Sequence, residues 1–146
     1  MRRLDEFQRD VLGRITNIID ALGQSLNYSY DSRGNLASFT DRAGNTNLFT
    51  YSVEHELLTF TDGVGNQALS NSFDGSGRLV QQQDATGHSL FYTHDLANRL
   101  EYMTNRLGQT TTREYDERGN LVRTIDPLGA VSTFTYDADD NVIAAS

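Results

Sequence analysis

Apolar and polar residues alternate in short bursts along the chain, and each burst ends in the same polar punctuation. In LNYSYDSRGNLASFTDRAGNTNLFTY, residues 26–51, Tyr28 and Tyr30 stand two apart, as do Phe49 and Tyr51. A spacing of two on an extended strand puts both rings on one face. Between bursts stands Asp-x-x-Gly: Asp31 leads to Gly34, and Asp41 leads to Gly44. Asp at the first position of a type I turn caps backbone amides with its carboxylate, and Gly at the fourth accepts positive φ. The six or seven residues between turns are rich in Thr, Leu, Phe and Tyr, which is strand length and strand chemistry. Each unit therefore reads as strand, turn, strand, turn.

The unit repeats with a ruler. Asp10, Asp31, Ser52, Asp74, Asp95, Asp116 and Asp137 open successive units at intervals of 21, 21, 22, 21, 21 and 21. Five residues after each stands an aliphatic: Ile15, Leu36, Leu57, Leu79, Leu100, Leu121 and Val142. A second set of turns keeps step, from Asp20 to Gly23 through Asp126 to Gly129, with Asn105 in place of Asp once. All twelve glycines fall inside these turns. Phe134 and Tyr136 repeat the aromatic pair; Tyr92 is followed by His94; Phe73 and Tyr115 stand alone. The predicted fold is all-β, an antiparallel hairpin meander of about six and a half 21-residue repeats and at most thirteen strands, forming an open curved ribbon. Residues 1–9 are an incomplete leading strand and 10–146 the ribbon.

An odd period carries register information. A three-residue loop with a Gly bulge pairs residues an even number apart, and a four-residue loop pairs residues an odd number apart. Two identical turns per unit would need a strand bulge. The expectation is a Gly-bulge loop before each aliphatic and a four-residue loop at the second turn. Tyr30 then faces Leu36, and Leu36 faces Phe49, with Leu79, Leu121, Phe134 and Tyr136 in the same ladder. The unit at Ser52 lacks Asp and Gly in its first turn and has one extra residue before Asp74, so a bulge is expected there. Asn98 and Asn105 are milder departures, because Asn tolerates left-handed geometry.

Composition narrows the function. The chain has 146 residues and a net charge of −8, the wrong sign for a nucleic-acid footprint. There is no Cys, hence no disulfide or thiolate site. The start, MRRLDEFQRDVLGRI, lacks the apolar region of a signal peptide, and no apolar run approaches a membrane span.

YDSRGNL, FDGSGRLVQQQDATG and YDERGNLVRTIDPLG, the last with Asp116, Gly119, Asp126 and Gly129, resemble the Rhs or YD repeat. The resemblance covers residues 10 to the end and is specific as a repeated pattern. It implies the fold of Rhs polymorphic toxins, toxin-complex shell subunits and teneurins, a β-ribbon that spirals into a hollow shell. In bacterial members that shell encloses a toxic C-terminal domain. The implied role is structural and non-catalytic. Its partners would be neighbouring YD repeats of a longer chain and the enclosed toxin. Its place would be outside the cell or at its surface, reached through a specialised secretion system. Against that pattern the chain is expected to be a piece, since the effector region and closing core motif are missing.

Other chemistries fit less well. Calcium-binding rolls need Gly and Asp at far higher density. Twenty acids spread by a repeat single out no carboxylate pair for glycoside hydrolysis. His88 and His94 fall short of the three or four ligands a metal needs; His94 reads as a substitute ladder aromatic and His88 as a surface strand residue. Pro127 is a turn proline. No cofactor is expected. The alternative function is a carbohydrate-binding surface repeat, using the exposed aromatic ladder with Tyr28 and Tyr92. Unpaired sheet edges invite edge-to-edge association.

Overall fold

The structure is a computed structural model that describes residues 6–146; part of the expected leading strand lies outside the described residues. Among these residues there are fourteen strands and no helix. They are β1 (Glu6–Arg9), β2 (Ile15–Ile19), β3 (Ser25–Tyr30), β4 (Leu36–Thr40), β5 (Thr46–Tyr51), β6 (Leu57–Thr61) and β7 (Gln67–Phe73). There follow β8 (Leu79–Asp84), β9 (Ser89–Asp95), β10 (Leu100–Asn105), β11 (Thr110–Tyr115), β12 (Leu121–Ile125), β13 (Val131–Tyr136) and β14 (Val142–Ala145). The count exceeds the expected maximum of thirteen by one: residues 10–146 alone hold thirteen strands, and Glu6–Arg9 adds another.

The chain forms two compact units, Met1–Ser72 and Phe73–Ser146. The first carries β1 to β7 and the second β8 to β14. Within each, strand order is chain order and every paired neighbour is antiparallel. The architecture is an all-β meander.

Both turns of a regular unit are the same hairpin, which corrects the expected alternation. At the first turn Gly34 N–H donates to Asp31 O at 3.1 Å and Asp31 N–H to Asn35 O at 2.9 Å. At the second, Gly44 and Asp41 repeat those bonds at 3.1 and 2.9 Å. The glycines sit at φ +93° and +88°, so each loop is the three-residue Gly-bulge type.

The odd residue is absorbed in the strand instead. Tyr30 pairs with Leu36, but Ser29 pairs with Ser38, and Ala37 is left over as a β-bulge. Thr16, Leu58, Val122 and Ile143 are skipped in the same way. Beyond the second turn Thr40 pairs with Thr46 and Ser38 with Leu48 without a break. That register carries Leu36 towards Thr50 rather than Phe49.

Three units depart from the rule; in the one at Asp137 the hairpin is kept, with Asp140 in the glycine position at φ 64°. At Ser52 the hydroxyl stands in for the carboxylate, accepting from Glu54 and Glu56 N–H at 3.1 and 3.2 Å. His55 holds the glycine position at φ 69°. The extra residue of this unit, Ala68, is skipped between the pairs Phe60–Leu69 and Thr61–Gln67. At Asp95 the hairpin takes a four-residue loop: Asp95 pairs with Leu100 and Glu101 with His94, with no bulge. Arg99, at φ 56°, is the left-handed residue there, not Asn98.

The pairing separates two faces. In the first unit one face holds Leu26, Tyr28, Tyr30, Leu36, Phe39, Phe49 and Phe60, all half-buried. Tyr28 and Phe39 have ring centroids 5.3 Å apart, as do Phe49 and Phe60. The other face is a hydroxyl and amide ladder: Ser29–Ser38 at 2.6 Å, Thr40–Thr46 at 2.9 Å, Thr50–Thr59 at 2.6 Å and Asn17–Asn27 at 2.9 Å. Cross-strand pairs of this kind are worth roughly 0.2–1 kcal/mol each. Among the described residues no side chain is fully buried; the sheet is held by its ladders rather than by an enclosed core.

Candidate functional site

The turn aspartates are built alike. Asp31 Oδ1 accepts from Arg33 N–H and Asn35 N–H at 2.9 and 2.8 Å, and Oδ2 accepts from the Asn35 amide at 2.9 Å. Asp41 and Asp116 repeat the three bonds with Asn45 and Asn120. Asp126 makes the two backbone bonds with Leu128 and Ala130, both 2.8 Å. Gly119 and Gly129 close these turns at φ +88° and +87°. The Asn35 side chain, then the backbone amides, hold the Asp31 carboxyl below its ordinary value. Asp74, bonded by the Arg78 backbone and then its guanidinium, is lowered to about 2.

Behind four of the first turns lies a clamp that sequence reading misses. In three of them the second residue of the aromatic pair, or the His in its place, reaches back 15 residues to the carbonyl of the preceding unit's aliphatic, and in the fourth Asn71 reaches back 14. Tyr30 O–H donates to Ile15 O and Tyr136 O–H to Leu121 O, both at 2.8 Å. His94 Nε2 contacts Leu79 O at 2.8 Å, and Asn71 Nδ2 contacts Leu57 O at 3.0 Å. The ladder explains why a donor is needed. Pairing of β2 with β3 ends at Asn17–Asn27, two residues short of Ile15, and that of β12 with β13 at Arg123–Thr133. The bulge ends the pairing and leaves the carbonyl beside it unmatched, and a buried or half-buried carbonyl without a donor is costly. The regular recurrence of Tyr at the second aromatic position was the available signal.

The remaining ladder residues lie in strands on the same pattern. Tyr28 is in β3 against Phe39, and Phe49 in β5 against Phe60. Tyr51 pairs with Leu57, Tyr115 with Leu121, and Phe134 with Ala145. Arg14 stacks its guanidinium 4.4 Å from the Tyr30 ring centre.

In the second unit the aromatic face changes character. His94 Nδ1 lies 3.6 Å from Glu101 Oε1; Arg113 Nη1 is 3.3 Å and Tyr115 Oη 3.2 Å from Glu101 Oε2. Partial burial, then the Glu101 charge, raises the Tyr115 phenol. His94 does take a ladder aromatic's place. His88, expected on a strand, lies in the turn instead, with its N–H bonded to Asp84 at 2.9 Å and its ring to Thr86 at 2.8 Å.

The cause is the Asp95 hairpin. Leu36 shares a face with Tyr30, but Leu100 pairs with Asp95 and Glu114, on the face opposite His94. Without the bulge, Leu100 turns to the polar face and Glu101 enters the ladder. On the polar face Leu100 then joins Asn98, Thr112, Glu114, Arg123 and Ile125 around a depression of about 370 Å³. Glu114 and Arg123 face each other there at 3.8 Å, each 45% exposed.

The RHS Repeat family matches residues 9–46, 101–131 and 115–146. No curated protein matches the chain. Among solved structures, a crystal structure of TcdB2-TccC3-TEV is similar at 15% identity and a TM-score of 0.70, over 97% of this chain and 9% of that one. A crystal structure of TcdB2-TccC3 gives 14%, 0.68, 94% and 9%. A Tc holotoxin pore from Photorhabdus luminescens with mutated TccC3 gives 17%, 0.64, 97% and 9%. At such identities the likeness is one of fold, and this chain spans 9% of the length of these proteins.

Proposed function

The chain belongs to the RHS repeat family, and we propose that it is a structural, non-catalytic segment of a longer repeat shell that encloses a toxic effector domain. The observation that carries this reading is the unit itself. Turn, bulge, clamp and cross-strand ladder recur along the meander, so each unit rests on the next rather than on an enclosed core. Such a sheet extends by adding units, which suits a wall. The similarity to a 9% stretch of TcdB2-TccC3 supports the same assignment.

In this role the Asp-x-x-Gly turns set the fold-back, and Tyr28, Tyr30, Leu36, Phe49, Tyr51, Leu79, Leu121, Phe134 and Tyr136 hold adjacent strands. The partners are neighbouring repeats of one chain and the enclosed domain, and the whole is exported to act outside the cell. Limited proteolysis of the native product tests this. A non-repeat domain that resists protease until the repeats are unfolded is the expected result. A product cut down to its repeats with no protected domain would count against enclosure.

A further inference from the structure

We propose that the Asp95 hairpin is a two-register switch: the bulged register of the regular units is its second state, and Glu101 holds it in the first. The two registers differ only locally. In a regular unit the pair Ser29–Ser38 lies just beyond the bulge. The matching pair at Asp95 is Thr93–Tyr102, and it is present. Both registers therefore use the same stretch of chain and differ in the place of one residue. Moving that residue from the loop to a bulge at Glu101 pairs His94 with Leu100, as Tyr30 pairs with Leu36. Nothing past Thr93–Tyr102 has to shift.

The unit keeps every part of the regular form. Asp95 opens it, Asn98 stands in the glycine position and Leu100 is the aliphatic. Asn enters the left-handed region more readily than other side chains, yet Arg99 is the residue there, at φ 56°. His55 and Asp140 hold the glycine position of their own three-residue loops, so that loop does not require glycine. Tyr115 is the most telling part. It stands 15 residues after Leu100, the spacing at which Tyr30 and Tyr136 donate to Ile15 O and Leu121 O. Here its hydroxyl donates to Glu101 Oε2 at 3.2 Å instead. The β10–β11 pairing runs on past Tyr102–Thr112 through Glu101–Arg113 to Leu100–Glu114, whereas β12–β13 stops at Arg123–Thr133. No gap is left for a clamp to fill.

Glu101 decides between the registers. Its side chain is 17% exposed, and a carboxylate taken from water needs partners. It has Arg113 Nη1 at 3.3 Å and Tyr115 Oη at 3.2 Å, with His94 Nδ1 at 3.6 Å. In the second register Leu100 takes the place opposite His94, and Tyr115 is released to Leu100 O. The exchange also carries Leu100 away from the depression it lines on the polar face and into the aromatic ladder. A change at Glu101 on one face thus alters the other, which couples the two sides of the sheet.

Two-dimensional NMR of the chain with labelled leucine methyls tests this, with relaxation dispersion to report millisecond exchange. Exchange confined to residues 95–101 and Tyr115, with a minor state of about 1–10%, is expected. Asn98→Gly and Glu101→Ala are each expected to make that state the major one, shown by new contacts between the Leu100 methyls and the His94 ring. Arg99→Gly is expected to remove the exchange by favouring the four-residue loop. Both glycine variants loosen the loop, so their opposite effects separate a register switch from general flexibility. A hairpin without exchange, or one in which Leu100 keeps its place in both Asn98→Gly and Glu101→Ala, would overturn the proposal. So would exchange that both glycine variants move in the same direction. The shell role stands apart from this outcome, since it needs only the pairing that both registers share.

Discussion

At the residue scale, each turn asks one thing of its glycine and another of its aspartate. Gly119 stands at φ +88° with nothing near a built Cβ, so the only penalty for a side chain is conformational, about 1–2 kcal/mol. Gly119→Ala is expected to lower stability by that amount in urea unfolding. Gly75, open to solvent and outside the left-handed region, should accept Ala at no cost, and an equal loss at both positions would contradict the turn geometry. The aspartates carry the pH dependence. Ten carboxyls, among them Asp31, Asp74 and Asp116, lie below their ordinary value because backbone amides, Asn side chains or Arg bond to the charged form. A group lowered on folding stabilises the fold fully above its unfolded pKa, about 3.9 for Asp. That contribution fades as pH falls towards the folded value, about 2 for Asp74. Melting temperature should therefore hold down to about pH 5 and drop between about pH 4 and 2; a rise over that window would reverse the assignment. These roles were legible in the sequence because Asx capping and positive φ are local. The left-handed residue of the Asp95 hairpin was not legible, because whether Asn98 or Arg99 takes it depends on the length of the loop.

At the element scale, the bulge and the clamp belong together. The bulge fixes an odd period with two even turns, strips a partner from the neighbouring carbonyl, and the next unit's Tyr returns a donor. Tyr136→Phe keeps the ring and removes only the hydroxyl bond to Leu121 O. A loss of about 1 kcal/mol is expected, and none would mean that water serves the carbonyl as well. Parity arithmetic on the sequence already allowed a strand bulge, but could not decide between bulge and loop. Local propensity does not distinguish them; pairing along the whole hairpin does. The unit at Asp95 shows the other solution, with four loop residues and an unbroken strand. Its consequences, Leu100 on the polar face and Glu101 beside His94, lie beyond any reading of one strand by itself, because bulge placement decides which face each residue joins.

At the scale of the whole molecule, strands with no fully buried side chain among the described residues have little apolar burial to set against the entropy of ordering the chain. Such a segment gains from further repeats on either side, as expected of nearest-neighbour repeat energetics. Among the described residues β1 and β14 are each paired on one side only, and an open strand edge is a template for further pairing. The most direct test is the size of the native product, read by immunoblot of the source cell with an antibody raised to this segment. A band far above 16.3 kDa is the predicted result, placing the units within a long repeat chain. A single band at 16.3 kDa would contradict the shell assignment, since so few units cannot enclose a domain.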